Sequence, residues 1–104
     1  SLAHLDKEED LGILKNKQIL RNELMEDLGK ALQSQINKLS TEDQQLYSNP
    51  DSEKLAENPE AEKRIEEMMA NTKAEMELIA RSATFSSLPP DQVNQILKES
   101  IQQI

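Results

Sequence analysis

The sequence predicts an all-α protein: an elongated hairpin of two long helices, with short connecting helices and a third helix at the carboxyl end. Apolar residues recur in steps of three and four along most of the 104 residues, and no run of four or more residues alternates as a strand would. Two Asn-Pro pairs and one Pro-Pro pair interrupt the helical period. A chain of this length is expected to form a single domain, residues 1–104.

The first long helix is predicted over about residues 6–39. Leu14, Met25 and Ile36 lie eleven residues apart, and other apolar pairs in this segment share that spacing. An eleven-residue repeat corresponds to about 3.67 residues per turn, which suits a nearly straight helix. Gly29 interrupts the pattern and is expected to cost the helix about 1 kcal/mol relative to alanine.

An acidic connection with short helices is predicted over residues 40–58. Ser40, followed three residues later by Asp43, resembles a capping box at a helix start. The pairs 49–50 and 58–59 are both Asn-Pro, and each is typical of a helix start, since Asn caps the helix and Pro suits its first turn.

A second long helix is predicted over about residues 59–84, a stiff Pro-Pro joint at 86–90, and a third helix over about residues 91–104. The second helix carries one apolar seam, formed by Ala61, Ile65, Met68, Thr72, Met76, Ile79 and Ala83. Four seam residues, Ile65, Met68, Met76 and Ile79, are predicted to pack against Leu20, Leu24, Leu28 and Leu32 of the first helix. Together these helices form the expected hairpin.

Composition excludes several classes of partner. The chain has 20 acidic and 12 basic residues, for a net charge of −8, which disfavours binding to nucleic acid because such binding depends on lysine and arginine. No apolar run approaches the roughly 20 residues that a membrane-spanning helix needs. No signal peptide is recognisable, so we expect a soluble chain in a compartment that the residues do not identify. Because the apolar period still runs at Ile104, we expect a piece of a longer protein.

Residues with catalytic potential are scarce. His4 is the only histidine, it precedes the first predicted helix, and cysteine is absent. The sequence has no glycine-rich phosphate loop, no calcium-binding loop and no Glu-x-x-His motif. We therefore predict a protein that is not an enzyme and has no catalytic, metal-binding or cofactor-binding residue, and no cofactor.

Methionines and the third helix are the predicted contact surface for another protein. Flexible methionine side chains fill irregular cores and are also frequent at promiscuous binding surfaces, so both interpretations stay open. The predicted partner-binding residues are Met68, Met69, Met76, Val93, Leu97, Ile101 and Ile104. The predicted function is that of a helical interaction or oligomerisation module, part of a larger assembly or scaffold, that binds a protein partner or a second copy of itself.

The alternative function is that of a small acidic regulatory or chaperone-type protein. Residues 41–67 contain nine acidic and three basic residues, and thus most of the excess negative charge. Such a surface would sequester a basic or amphipathic segment of a partner. The acids also fit a simpler interpretation, a solvated connection with acidic residues in the first turns of its helices.

Overall fold

The structure, a computed structural model, describes residues 2–49, 52–83 and 88–104, and at residues 2–17 and 52 it describes the backbone alone. Within these ranges the chain forms helices and no strand. The helices are α1 (Leu2–Asn37), α2 (Thr41–Ser48), α3 (Ser52–Glu57), α4 (Pro59–Ala83) and α5 (Pro90–Gln102). The predicted all-α class, with two long helices, short connecting helices and a third helix at the carboxyl end, is confirmed.

Helix α1 begins and ends earlier than its sequence pattern predicts. It starts at Leu2 and ends at Asn37. The next two residues form a tighter turn, in which the amides of Lys38 and Leu39 donate to carbonyls three residues back, at 3.2 and 3.0 Å. The helical spacing of apolar residues therefore continues beyond the last residue of the helix. Residues 86–87 of the predicted Pro-Pro joint lie outside the described residues.

The core joins α1, α4 and α5. Helix α5 folds back along the hairpin and packs against both long helices of its own chain. The buried residues of this core cluster are Leu24, Leu28, Ala31, Met76, Ala80, Leu88, Val93 and Ile96. Leu20, Leu32, Ile79, Ala83, Leu97, Ile101 and Ile104 are partly buried against it. The hairpin and the third helix thus form one three-helix bundle.

Helix α4 has two halves with different neighbours. The side-chain amide of Gln35, near the end of α1, donates to a carboxylate oxygen of Glu75 at 2.9 Å, so α1 ends beside the middle of α4. Ile65 and Met68 are buried on the other half of α4, outside the main core cluster. The predicted contact with the leucines of α1 therefore holds for Met76 and Ile79 but not for Ile65 and Met68, because Gln35, which follows those leucines, already lies beside Glu75. Helices α2 and α3 both contact α4.

The molecule is elongated, with extents of 70 × 22 × 19 Å. Helix α1 alone, at 1.5 Å per residue, is roughly 54 Å long. Helix α4 ends at Ala83, which lines a shallow cleft together with Leu20 and Leu24. The backbone of α1 continues from there toward Leu2, about 27 Å farther.

Replacement of Gly29 by alanine is expected to stabilise the chain. Gly29 lies on the exposed face of α1, and a Cβ atom built there meets no other atom within 4 Å. The change should raise the free energy of unfolding by about 1 kcal/mol, since alanine favours the helix over glycine. Urea unfolding followed by circular dichroism measures this gain. An unchanged or lower midpoint would mean that α1 is not a regular helix at this position.

Candidate functional site at the acidic end

We use the name acidic end for the described residues of α2 and α3 and the first turns of α4, up to Glu67. Its exposed carboxylates belong to Glu42, Glu53, Glu57, Glu60, Glu62, Glu66 and Glu67, and its basic residues are Lys54, Lys63 and Arg64. Asp43 is its one buried carboxylate within the described ranges. The negative charge that is concentrated in the sequence is therefore also exposed, at one end of the molecule.

An ion pair between Asp43 and Arg64 joins α2 to α4. The Nε atom of Arg64 donates to Oδ2 of Asp43 at 2.7 Å, and Nη2 donates to Oδ1 at 3.2 Å. Such two-point pairing fixes both the distance and the orientation of the two helices. The Asp43 side chain is almost fully buried, whereas half of the Arg64 side chain remains exposed. The aspartate therefore depends on this arginine for its charge compensation.

The same aspartate lies in the predicted capping box. The Ser40 hydroxyl oxygen accepts a hydrogen bond from the Asp43 amide at 3.2 Å, so Ser40 is the N-cap of α2 as predicted. The hydrogen bonds from Arg64 hold the pKa of Asp43 below its usual value of 3.8. Burial opposes this effect, while the charge of Arg64 and a hydrogen bond from Ser40 add to it. Asp43 is therefore ionised throughout the neutral range.

Acid should weaken the contribution of Asp43 to stability. A carboxyl group whose pKa is lower in the folded than in the unfolded chain stabilises the fold above its unfolded pKa, and loses this effect as the pH falls through the folded pKa. Urea unfolding of the wild type and of Asp43→Asn should therefore differ most from pH 5 to 7. The difference should shrink below about pH 4, as Asp43 becomes protonated. A difference that stays constant down to pH 2 would contradict this prediction.

Asn58 lies at the start of a helix, whereas Asn49 lies at the end of one. The side-chain oxygen of Asn58 accepts a hydrogen bond from the Ala61 amide at 3.2 Å, which confirms the predicted cap at the start of α4. Asn49 follows the last turn of α2, where its amide donates to the carbonyl of Gln45. The rest of the first Asn-Pro motif, residues 50–51, lies outside the described residues. Asn49 thus ends one helix in the structure.

Tyr47 connects α2 to the carboxyl end of α5. Its hydroxyl donates a hydrogen bond to the backbone carbonyl of Ile104 at 3.2 Å. Burial raises the pKa of Tyr47, so the hydroxyl remains protonated and able to donate at neutral pH. Helix α2 therefore has one polar contact with α4 and another with the chain after α5.

An open groove lies between α2 and α3, with a volume of about 710 Å³. It is lined by Glu42, Gln45, Leu46, Ser48, Asn49, Lys54, Glu57 and Asn58. The carboxylates of Glu42 and Glu57 give it two acidic groups against the one basic group of Lys54, and Leu46 gives it an apolar contact. Such a lining suits a side chain that combines an apolar stem with a positive head, as lysine and arginine do.

The structure separates the predicted partner-binding residues into two groups. Met68, Met76 and Val93 are buried inside the chain itself, at 4%, 1% and 0% exposure. Leu97, Ile101 and Ile104 are half-buried, and Met69 is 36% exposed. The reason is the fold-back of α5, whose apolar face is used on α1 and α4 of the same chain. A partner can reach only the second group without opening the fold.

Sequence reasoning missed the residues that fix α2 in place. Asp43 was expected only as a member of a capping box, and Arg64 and Tyr47 were not singled out. The ion pair joins residues 21 positions apart, and the tyrosine contact joins residues 57 positions apart. No local motif connects such distant positions, so only the fold could bring them together.

The described side chains do not form a metal centre. They include no group of three or more histidine, aspartate or glutamate residues arranged to hold a metal ion. The side chain of His4, the only histidine, lies outside the described side chains. In the described part of the chain, no helix combines the length and the apolar character that crossing a bilayer requires. The chain matches no protein-family model, no curated protein and no solved structure.

Proposed function

We propose that this chain is a non-enzymatic helical interaction module that docks a basic, amphipathic segment of another protein at its acidic end. The observation that carries the proposal is the open groove between α2 and α3, which combines acidic groups with an apolar contact in the most negatively charged part of the molecule. The lack of cysteine and the single histidine support a role without catalysis. Partner capture of this kind is the work of small regulatory or chaperone-type proteins.

Polar contacts position the α2 side of the groove. Helix α2 is held to α4 by the ion pair of Asp43 and Arg64, and the start of α4 is capped by Asn58. Glu42 directly precedes Asp43, so the ion pair also positions this groove carboxylate. A docked segment would place basic side chains beside Glu42 and Glu57 and an apolar side chain against Leu46.

The exposed charges determine the expected strength, rate and salt dependence of the binding. An exposed ion pair contributes about 0–1 kcal/mol, so several carboxylates must act together to give useful affinity. The exposed carboxylates of the acidic end would also attract a basic segment from a distance, and salt would screen this attraction within about 10 Å at 0.1 M. We therefore expect weak, rapid and salt-dependent association.

A peptide titration tests the proposal. The probe is a synthetic 18-residue peptide of lysine and leucine in amphipathic helical order, compared with a peptide of the same composition in scrambled order. Glu42→Gln with Glu57→Gln should weaken binding of the amphipathic peptide roughly tenfold at low salt, if each groove carboxylate contributes up to 1 kcal/mol. The matched control, Glu23→Gln with Glu99→Gln, removes two exposed carboxylates outside the acidic end.

The possible results distinguish docking in the groove from attraction by the net negative charge of the chain. Stronger binding of the ordered than of the scrambled peptide, with loss only in the groove variant, supports docking in the groove. Equal loss in both double variants would contradict it, since net charge alone would then explain the binding. Equal affinity for the ordered and scrambled peptides would contradict the apolar part of the proposal.

Self-association through α1 is a second candidate, favoured by a different observation. Ile19 and Met25 on α1 are 54% and 46% exposed, and α1 continues past the end of α4. Sedimentation equilibrium at about 100 μM measures the mass of the intact chain, with Ile19→Lys and Met25→Lys as interface variants. Leu78→Lys is the control, because Leu78 is 62% exposed on α4. A monomeric intact chain would rule this candidate out.

A further inference from the structure

Helix α2 is attached to the bundle mainly by polar contacts. It has eight residues, and a helix of this length is not stable alone in water, so its order depends on its contacts. Its one buried residue is Asp43. Its large apolar side chains, Leu46 and Tyr47, are only half-buried and do not belong to the main core cluster. Loss of α2 from the bundle would leave that cluster intact.

Two polar contacts hold the helix, one near each end. Asp43 pairs with Arg64 of α4, and Tyr47 donates to the carbonyl of Ile104 at the end of the chain after α5. The other side-chain contact of this helix, from Gln44 to the Leu39 carbonyl at 3.0 Å, is local to the connection before it. The attachment of α2 to the bundle therefore depends on very few groups.

Met68 is a buried residue of α4 near the Asp43–Arg64 pair. It follows Arg64 by one helical turn, so both residues lie on the side of α4 that faces α2. Met68 is 4% exposed, whereas the adjacent Met69 is 36% exposed. The Met68 sulfur lies 3.4 Å from the Thr72 hydroxyl, which also donates to the Met68 carbonyl at 2.8 Å. Met68 is not a member of the main core cluster, so residues outside that cluster contribute to its burial.

We propose that α2 is a lid over Met68, which opens as a unit while the bundle of α1, α4 and α5 stays folded. Opening breaks the Asp43–Arg64 pair and the Tyr47–Ile104 hydrogen bond and exposes the half-buried side chains of α2. No residue of the main core changes its neighbours. Partial opening of this kind requires less free energy than global unfolding. The lid forms whether or not a basic segment docks in the groove.

Peroxide oxidation of the methionines tests the lid on the full chain. Hydrogen peroxide transfers one oxygen atom to the thioether sulfur and leaves as water, so the rate of sulfoxide formation reports access to each sulfur. Peptide mass spectrometry separates the sites. Met25 and Met69, 46% and 36% exposed, should react fastest, Met68 more slowly through opening of the lid, and Met76, 1% exposed in the main core, slowest.

Asp43→Asn is the decisive variant. It should accelerate oxidation of Met68 on the order of tenfold, because hydrogen bonds to charged groups contribute more than neutral ones, and leave the exposed Met69 unchanged. Tyr47→Phe removes only the hydroxyl and should accelerate Met68 oxidation several-fold. Glu23→Gln is the control: this exposed carboxylate of α1 lies outside the acidic end, and its loss should change none of the rates.

The other outcomes would overturn the proposal. Ile96→Val weakens the main core without touching α2, so it should accelerate oxidation of Met76 and leave the Met68 rate unchanged. Equal acceleration of Met68 and Met76 in this variant would show that Met68 becomes accessible by global unfolding. A wild-type Met68 that reacts as fast as Met69 would show that α2 does not cover it. A Met68 rate that neither Asp43→Asn nor Tyr47→Phe changes would show that these contacts do not hold the lid.

Discussion

Deletion of residues 89–104 is expected to abolish cooperative unfolding of the chain. Val93 and Ile96 of α5 are 0% and 2% exposed, and both belong to the core cluster with α1 and α4. Burial of one large apolar side chain contributes about 1.5–3 kcal/mol. Together with its half-buried residues, α5 supplies roughly 5 kcal/mol or more, which is comparable with the whole stability of many small domains. Circular dichroism at 222 nm during heating measures the loss.

Substitutions in the full-length chain show whether the effect of the deletion comes from lost core packing or from the shorter chain. Val93→Asp with Ile96→Asp should reproduce the effect of the deletion, because buried, unpaired charges are not tolerated in an apolar core. The control, Gln92→Asp with Asn94→Asp, adds the same two charges at exposed positions of the same helix. It should unfold cooperatively, within a few degrees of the wild type. A deletion variant that still unfolds cooperatively near the wild-type midpoint would mean that α5 is not part of the core.

Replacement of Leu28 by alanine should lower the free energy of unfolding by about 3–5 kcal/mol, the range measured for leucines in well-packed cores. Leu28 is 0% exposed and lies in the cluster where α1, α4 and α5 meet. The loss combines the apolar contacts of the removed atoms with the cavity left behind, which neighbours from three helices cannot easily fill. Urea unfolding at pH 7 provides the measurement.

Leu78→Ala is the matched control for this prediction. It removes the same atoms from a leucine that is 62% exposed on α4, and it should change the free energy of unfolding by less than about 0.5 kcal/mol. Similar effects at Leu28 and Leu78 would contradict the packing of the bundle. A cost near 0.5 kcal/mol at both positions would mean that α1 does not pack against the other helices.

The helical class and most helix ends could be predicted from local signals. Ser40 and Asn58 cap α2 and α4 as their motifs predict, since a cap involves only residues within one turn. Pro59 and Pro90 are the first residues of α4 and α5. These predictions succeed because a proline or a capping side chain acts on its own backbone, whatever the rest of the chain does.

The end of α1 shows where such signals fail. Apolar residues continue in helical spacing to Leu39, but the helix ends at Asn37. The apolar pattern also predicted that Ile65 and Met68 contact the leucines at positions 20–32 of α1, whereas Gln35, which follows those leucines, already lies beside Glu75. The periodicity of one helix gives the side that it buries, but not how far along a neighbouring helix the contact extends.

The sequence by itself determined that this protein is helical, where most of its helices are capped, and that its negative charge is concentrated in residues 41–67. Only the tertiary structure decided which apolar stripe meets which. It placed Val93, Met76 and Met68 inside the chain, and it joined Asp43 to Arg64 and Tyr47 to Ile104. The physical reason is range: caps and helical periods depend on residues within a few positions, whereas burial and ion pairing depend on how distant segments meet.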